Sequence, residues 1–320
     1  MSETWRKFSA YQGTGWKPRD RSLALELARL AAPRVNSEYK QLKAVLLYCP
    51  GRELLTIKDP NAAQHLARIS PAGIRREYAA LSAAFRREGV AVHMLKGGPR
   101  RPGRGPALNL MYVRDLFFNT PEGAVVARMA SAVRAGEEAL AVPALAGLGI
   151  PINKTISGAG TFEGADALWL DKRTVLCGTG NRTNEEGFRQ LRRVLALQGV
   201  KAVNVPLPGG VQHLLGLLQF VDRGLALLRT EKASSRLRAL LRANRVAVIP
   251  VPETEEVSAR QGMNIVTVAP RRIIMPASCP GLKKLYAASG LTVAAEVGIS
   301  QLINGAGGLA CATGILSRAL

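Results

Sequence analysis

The feature that most constrains this fold is an alternation of short apolar segments with amphipathic helical segments, which recurs along most of the chain. From residue 42 onward the alternation runs through five rounds, each of roughly 40 to 55 residues. In each round a helix with one apolar face is followed by a short apolar strand. The predicted helices are 72–88, 137–148, 185–198, 234–244 and 281–289. The predicted strands are 42–48, 90–95, 124–127, 152–156, 167–170, 175–177, 202–205, 217–222, 225–228, 246–249, 264–268, 273–275 and 291–293.

A structural repeat of this length indicates modules arranged around an axis. The strands come mostly in pairs, which a simple series of parallel β-α-β units does not require. The alternation predicts an α/β fold, but it does not by itself separate a five-module propeller from a doubly wound sheet. Residues 1–34 are predicted to be an N-terminal appendage, with a short helix over 22–32 that Pro33 ends. Residues 35–320 are predicted to form the main domain.

Composition predicts a folded, cytoplasmic protein without a cofactor. Of the 320 residues, 47% are hydrophobic and 21% are charged, as in ordinary globular proteins. No stretch approaches the roughly 20 apolar residues that a membrane-spanning helix needs, and the N-terminus lacks the apolar core of a secretion signal. The four cysteines show no CxxC spacing and the three histidines lie far apart, so no metal site is predicted.

The charge balance is strongly basic. Lysine and arginine total 44 against 23 acidic residues, which gives a formal net charge of +21. Such a charge attracts nucleic acid or other anions and repels a cationic substrate at long range. Much of the excess lies on predicted helical faces, where solvated charge is the commoner explanation. A nucleic-acid partner is therefore allowed by the charge but not expected. The segment 97–105 is predicted to be a basic loop rich in glycine and proline.

Polar, glycine-containing segments follow several predicted strands, where loops usually carry function. In chain order they contain Arg114-Asp115, Glu163-Gly164-Ala165-Asp166, Arg182-Thr183-Asn184, His213-Leu214 and Gly307-Gly308-Leu309-Ala310-Cys311-Ala312-Thr313. This set resembles the guanidine-modifying superfamily of arginine deiminases, dimethylarginine dimethylaminohydrolases and amidinotransferases. Those enzymes carry RD, EGGD, RTN, HLD and GGGxxCxT motifs in the same order. The resemblance implies a pentein-type α/β propeller of five ββαβ modules around a central, buried site.

The resemblance assigns the chemistry to Cys311, His213 and Glu163. A guanidinium carbon is a poor electrophile, so an enzyme must hold it, polarise it and attack it with a strong nucleophile such as a thiolate. The resemblance implies that Cys311 is this nucleophile. It implies that His213 protonates the leaving amine and then activates water, for which imidazole is suited. It also implies that Glu163 orients His213 and contacts the guanidinium. Without the motifs, Cys311 would be interpreted as an inert buried cysteine and Glu163 as a surface carboxylate.

Four further residues are predicted to bind substrate or to shape the site. The resemblance implies that Asp115 binds the guanidinium and that Arg182 grips a substrate carboxylate. Alternatively, Asp115 forms an ion pair with Arg114, and Arg182 faces solvent or caps the helix that follows. Asn109 and Asp166 are weaker candidates for the site.

One departure from the family pattern bears on specificity. The deiminases and amidinotransferases carry an aspartate two residues after the catalytic histidine, whereas this chain has Leu215 there. The dimethylarginine hydrolases also lack that aspartate, and its loss favours a more substituted guanidine over plain arginine. The second glycine of EGGD is Ala165 here, which is a milder change.

Three functions follow as hypotheses. The first is hydrolysis of arginine or an N-substituted arginine to a ureido product such as citrulline, through a covalent thiouronium intermediate. The second is an amidinotransferase, in which an acceptor amine replaces water. The third is a non-catalytic nucleic-acid or ribosome-binding protein of the same fold, which the net charge favours and the residues Cys311, His213 and Glu163 oppose. The expected partner is a small guanidino compound, and a homo-oligomer is allowed.

Overall fold

A computed structural model describes residues 7–30, 32–96, 101 and 105–320. Most of the predicted basic loop 97–105 therefore lies outside the described residues. The chain divides into two compact units, residues 1–32 and 33–320. In the smaller unit, helix α1 (Leu23–Arg29) begins at Ser22, whose hydroxyl accepts a hydrogen bond from the Leu25 N–H. This helix is shorter at both ends than the predicted 22–32.

The larger unit contains five sheets of three strands each within its described residues. Its strands are β1 Leu42–Leu47, β2 Ala91–Met94, β3 Phe117–Thr120, β4 Gly123–Val126, β5 Ile152–Thr155, β6 Ala167–Asp171, β7 Thr174–Thr179, β8 Lys201–Pro206, β9 Leu218–Asp222, β10 Leu225–Leu228, β11 Ala247–Pro250, β12 Val266–Ala269, β13 Arg272–Pro276, β14 Thr292–Val297 and β15 Gly314–Arg318. Its helices are α2 Pro71–Arg87, α3 Val142–Gly147, α4 Glu185–Leu197, α5 Ser235–Ala243, α6 Glu255–Ser258, α7 Pro280–Ala288, α8 Ser300–Asn304 and α9 Leu309–Ala312.

Every sheet has the same internal pattern. A middle strand pairs antiparallel with one neighbour and parallel with the strand that follows the connecting helix. In four sheets these three strands are consecutive along the chain. In the fifth, β1 pairs parallel with β2 and antiparallel with β15, so the last strand of the chain completes the first sheet. The predicted ββαβ rhythm is thus present, together with the predicted α/β class.

Two strands, β3 and β15, were not among the sequence predictions. Each is short and has polar residues among its apolar ones: Asn119 and Thr120 in β3, Ser317 and Arg318 in β15. The polar side chains of β3 are buried because they satisfy backbone groups. Asn119 Nδ2 donates to the carbonyl oxygens of Ile315 and Leu316 on β15, at 3.1 and 3.0 Å. Hydrophobicity alone does not reveal such strands.

The predicted helix 137–148 is also interrupted. A 3-10 turn, Glu138–Leu140, precedes the shorter α3. Pro143 lies in the first turn of α3, where its missing N–H costs least, and it would disrupt a helix that ran through it. The turn leaves Glu137 fully buried rather than on a solvated helical face.

Hydrogen bonds link neighbouring sheets across the core. Trp169 Nε1 on β6 donates to the Asn119 carbonyl on β3, and Thr267 on β12 donates to the Phe220 carbonyl on β9. Arg318 on β15 donates to the Thr267 carbonyl at 2.9 Å. The rings of Phe118 and Trp169 stack with their centroids 5.6 Å apart. Among the described residues, no helix is long and apolar enough to cross a membrane.

Candidate active site

Cys311 lies on α9, a single helical turn that follows Gly308. Asn264 holds this turn from the opposite side. Its Nδ2 donates to Cys311 Sγ at 3.2 Å, and its Oδ1 accepts a hydrogen bond from the Ala310 N–H at 2.6 Å. A Cβ at Gly308 would lie 2.7 Å from the Asn264 side chain, so the glycine permits this close approach. Asn264 therefore fixes both the backbone of the turn and the position of the thiol.

Burial raises the pKa of the Cys311 thiol, and the charge of Asp115 raises it further. Hydrogen bonds from Asn264 and from the Gly308 backbone, together with the charge of Arg134, only partly oppose this pKa shift. These shifts favour the protonated thiol, and a positive charge added to the site would lower the pKa of Cys311.

His213 and Glu163 form a buried pair. His213 Nε2 lies 2.7 Å from Glu163 Oε2, and both side chains are almost inaccessible to solvent. Burial alone would lower the pKa of His213, but the charges of Asp115 and Asp166 and its bond to Glu163 raise that pKa to about 9. Burial alone would raise the pKa of Glu163, but His213, Arg134 and Arg182 together lower it to about 2. The pair is therefore an ion pair at neutral pH.

Glu163 is held in place by its neighbours in the chain and in space. The 3-10 turn Gly164–Asp166 follows it and leads directly into β6. A Cβ at Gly164 would lie 2.2 Å from the Phe117 carbonyl oxygen, so the turn packs against the start of β3 without room for a side chain. Glu163 Oε1 accepts a hydrogen bond from the Ala130 N–H. The interpretation of Glu163 as a surface carboxylate is wrong.

Asp115 pairs with Arg134 and not with Arg114. Arg134 Nη1 donates to Asp115 Oδ2 at 2.6 Å, and Arg134 Nε donates to Glu137 Oε2 at 2.9 Å. Arg114 instead bonds Glu38 at 3.1 Å, which corrects the alternative of an Arg114–Asp115 ion pair. The second oxygen, Asp115 Oδ1, is buried and has no hydrogen-bond partner among the described residues.

Cys311, His213 and Asp115 line one cavity of about 70 Å³. A buried water needs roughly 10–15 Å³ of such space, so the cavity accommodates a planar group of a few heavy atoms. The other lining residues are Gln64, Asn109, Tyr112, Arg134, Arg182, Gln212, Gly305, Ala306 and Gly307. The structure therefore brings a carboxylate, an imidazole and a thiol to one cavity.

Arg182 lies at the edge of this group. Its Nη1 is 3.5 Å from Glu163 Oε1, and its side chain is 17% exposed. It does not cap the helix that follows, because the side chain of Asn184 accepts the capping hydrogen bond from the Gly187 N–H. The structure therefore brings Arg182 to the cavity.

Asp166 does not line the cavity. Its Oδ2 accepts a hydrogen bond from Thr183 at 2.6 Å, and its Oδ1 accepts one from the Leu214 N–H at 3.0 Å. Burial raises the pKa of Asp166 to about 7. The carboxyl thus ties the Arg182-Thr183 segment to the residue after His213, and this position does not fit the predicted contact with substrate.

Asn109 lines the cavity, although its side chain already has protein partners. Its Oδ1 lies 3.1 Å from His65 Nε2, and its Nδ2 donates to the Ala63 carbonyl. These bonds fix the segment around Gln64, which also lines the cavity. His65 is buried here as the partner of Asn109.

The sequence predictions missed two residues that organise the site, Arg134 and Asn264. Arg134 is 3% exposed and contacts both Asp115 and Glu137, and its Nη1 lies 3.9 Å from Glu163 Oε2. The segment around it carries no distinguishing pattern. Asn264 belongs to the polar Gly262-Met263-Asn264 segment, whose position at the start of a strand was the available signal.

Three side chains of the site are of types that bind metal ions. Asp115, Glu163 and His213 each offer one ligand atom, and these atoms lie within 4.8 Å of one another. However, Arg134 already neutralises Asp115, and His213 already neutralises Glu163. The geometry therefore suits an organic cation that shares these acids with Arg134 better than a divalent ion, which needs free carboxylate oxygens.

Part of this chain matches a known protein family. A family model described as arginine deiminase matches residues 105–230, which include Asp115, Glu163, Arg182 and His213. The predicted resemblance to the guanidine-modifying superfamily is confirmed.

The chain is 29% identical to an N(G),N(G)-dimethylarginine dimethylaminohydrolase of Streptomyces coelicolor over 180 residues. The aligned region covers 55% of this chain and 63% of that protein. The alignments with its two curated relatives span 65% and 63% of those proteins' lengths.

Solved structures of guanidine-modifying enzymes share the fold. A dimethylarginine dimethylaminohydrolase of Pseudomonas aeruginosa, solved as a cysteine-to-serine mutant with citrulline, has a TM-score of 0.68 and 22% identity, covering 87% of this chain and all of that one. An amidinotransferase of Microseira wollei has a TM-score of 0.68 and 15% identity, covering 90% of this chain and 98% of that one. The fold of this chain is therefore the mixed α/β fold of these enzymes.

Proposed function

We propose that this protein is a cysteine-dependent hydrolase that converts an arginine-like guanidino compound to a ureido product. The observation that carries the proposal is the single cavity in which the Cys311 thiol, the His213 imidazole and the Asp115 carboxylate meet. These are the nucleophile, the acid–base group and the cation-binding group that guanidine hydrolysis requires.

Asp115 Oδ1 supplies the proposed anchor for the guanidinium. A buried carboxylate oxygen without a donor is costly, and a guanidinium N–H would complete its hydrogen bonding. The cavity of about 70 Å³ accommodates the guanidinium head but not a whole arginine. The substrate's tail would therefore leave the cavity, and we propose that Arg182, which is partly exposed, binds its carboxylate.

Nucleophilic attack begins when the cation binds. Its positive charge lowers the pKa of Cys311, and the thiol loses its proton to solvent. Cys311 Sγ then forms a bond to the guanidinium carbon. Because its Nε2 faces Glu163, His213 uses Nδ1 to protonate the leaving amine while the C–N bond breaks. The products of this half-reaction are the free amine and a cationic thiouronium on Cys311.

Hydrolysis reverses the proton flow. Neutral His213 takes a proton from water, whose oxygen bonds to the thiouronium carbon. The C–S bond then breaks, releasing the ureido product, the Cys311 thiolate and one proton. Glu163 stabilises His213 whenever it is protonated.

The proposed substrate class is N-substituted arginine. The deiminases carry an aspartate for the second guanidinium face at the position of Leu215. Leu215 is apolar and buried, so this chain offers no carboxylate there. The 29%-identical relative from Streptomyces coelicolor is a dimethylarginine hydrolase, which supports the same class. Plain arginine would be the poorer substrate.

We also propose that the five modules surround a central axis, as in a pentein propeller. The hydrogen bonds between sheets and the pairing of β15 with β1 support this closed arrangement. A second cavity, which Ala310 and Thr313 on either side of Cys311 help to line, supports it as well. Strands of four sheets line that cavity, together with Arg114, which precedes β3 of the remaining sheet.

Product detection by mass spectrometry tests the function. Wild type, Cys311→Ala and Cys279→Ala are incubated with arginine, N-methylated arginines and agmatine. Cys279 lies in a separate apolar cluster, so its variant is a matched control. A ureido product from wild type and Cys279→Ala, but not from Cys311→Ala, is expected.

The same assay separates the alternatives. An amidinotransferase would give a new guanidino product only when an acceptor amine is added. Absence of both products with all of these substrates would sink the catalytic proposal and leave the basic surface as the main clue to function.

A further inference from the structure

A second, smaller cavity lies behind the turn that carries Cys311. It measures about 20 Å³ and is lined by the charged side chains of Glu38, Arg114 and Arg318, by the polar residues Gln219, Thr267 and Thr313, and otherwise by apolar residues. Ala310 and Thr313, which flank Cys311, form part of its wall. None of these three charged residues lines the cavity of the proposed reaction.

The charges around this cavity do not balance. Arg114 donates to Glu38 Oε2 at 3.1 Å, and the other carboxylate oxygen, Glu38 Oε1, accepts from the Trp169 N–H. Both carboxylate oxygens of Glu38 therefore already accept a hydrogen bond. Among the described residues, no carboxylate oxygen lies within 4.0 Å of the Arg318 guanidinium, although Arg318 is only 4% exposed. Two buried cations therefore share one anion.

Arg318 has a buried donor without a partner among the described residues. Its Nη1 donates to the carbonyl oxygens of Lys40 and Thr267, at 2.6 and 2.9 Å. Its Nε is buried and meets no acceptor among the described residues. Burial lowers the pKa of Arg318 to about 10, which still leaves the guanidinium charged at neutral pH. An uncompensated buried charge is strongly destabilising, so a counter-ion would be favoured.

We propose that this cavity binds a small monatomic anion, such as chloride, between Arg318 and Arg114. The cavity holds about one water-sized particle by volume, which excludes sulfate, phosphate and carboxylates. A neutral water could accept the Arg318 Nε–H but would leave the excess positive charge in place. The anion would also approach Glu38, and the second arginine offsets that repulsion.

The site is tested by thermal unfolding while chloride replaces gluconate at constant sodium concentration. Wild type is compared with Arg318→Met and with Arg193→Met, an exposed arginine whose loss changes the net charge equally. The melting temperature of wild type and Arg193→Met is expected to rise by about 2–4 °C up to roughly 200 mM chloride. That of Arg318→Met should stay constant.

Crystals of wild type in sodium bromide give a second readout that needs no variant. An anomalous peak beside Arg318 Nε is expected, and it decides the matter if Arg318→Met fails to fold. An equal chloride response in all three proteins, or bromide-grown crystals without a peak in this cavity, would overturn the proposal. Both measurements are independent of catalytic activity.

Discussion

The hydrogen bond between His213 and Glu163 decides which forms of these residues exist at neutral pH. The pairing raises the pKa of His213 and lowers that of Glu163, so in the proposed reaction the histidine already carries its proton before substrate arrives. Because the pKa of the Cys311 thiol is raised, we propose that it attacks only after a cation has entered the site. The resting site is thus prepared as an acid rather than as a nucleophile.

Glu163→Gln should separate proton donation by His213 from nucleophilic attack by Cys311. Without the carboxylate, the pKa of His213 falls, so the protonated form needed for amine release is lost at lower pH. The alkaline limb of kcat against pH is expected to move to lower pH, and kcat at neutral pH to fall by about 10- to 100-fold. A pH–rate series for wild type and variant measures this. An unchanged alkaline limb would show that another group donates the proton.

At the same scale, the sequence predicted individual site residues better than their partners. Cys311, His213, Glu163 and Asp115 stand in motifs whose order along the chain is distinctive, and all four line or support one cavity. Arg134 could not be predicted, because it acts through contacts across the fold, and the polar segment that contains Asn264 does not by itself reveal its contact with Cys311. Arg134 contacts Asp115 only because the fold brings two distant segments together. Arg114, the adjacent residue and the alternative ion-pair partner of Asp115, bonds Glu38 instead.

At the scale of elements, helix bounds were predicted closely where capping residues and apolar faces agree. The helix predicted over 185–198 begins at the Asn184 cap and ends within a residue. The strand predictions failed where burial depends on hydrogen bonding rather than on hydrophobicity, as in β3. The turns between elements, which place the functional groups, depend on close backbone approach that no periodicity reveals.

Gly164→Ala tests how such a turn supports the site. The added methyl group would lie 2.2 Å from the Phe117 carbonyl and 2.5 Å from that of Arg114, so the turn and Glu163 must shift. Urea unfolding should show a loss of about 1–3 kcal/mol in the free energy of unfolding, and kcat should fall.

Ala165→Gly is the matched control for this change, because it alters the next residue by the same methyl group and recreates the EGGD motif. It should cost no more than about 1 kcal/mol through backbone entropy and keep kcat. If both variants lose activity equally, the tight packing at Gly164 does not position Glu163.

At the scale of the whole molecule, the net charge of +21 opposes the proposed substrate. A cationic guanidine is repelled at long range, whereas within the buried site the Asp115 Oδ1 oxygen, which has no hydrogen-bond partner among the described residues, attracts it. Salt screens the long-range field far more than the contacts inside a protein. Catalysis and nucleic-acid binding therefore predict opposite responses to ionic strength.

For a substrate with net positive charge, kcat/KM should rise about twofold between 20 and 200 mM sodium gluconate, while kcat stays constant. The rise should be larger for agmatine, which is a dication, than for a methylarginine, whose carboxylate leaves it a monocation. Steady-state kinetics with both substrates measure the effect, and gluconate avoids the proposed chloride site. A fall in kcat/KM with salt would mean that the basic surface attracts the substrate. A binding function centred on nucleic acid would instead show affinity that weakens steeply with salt, since each phosphate contact releases counterions.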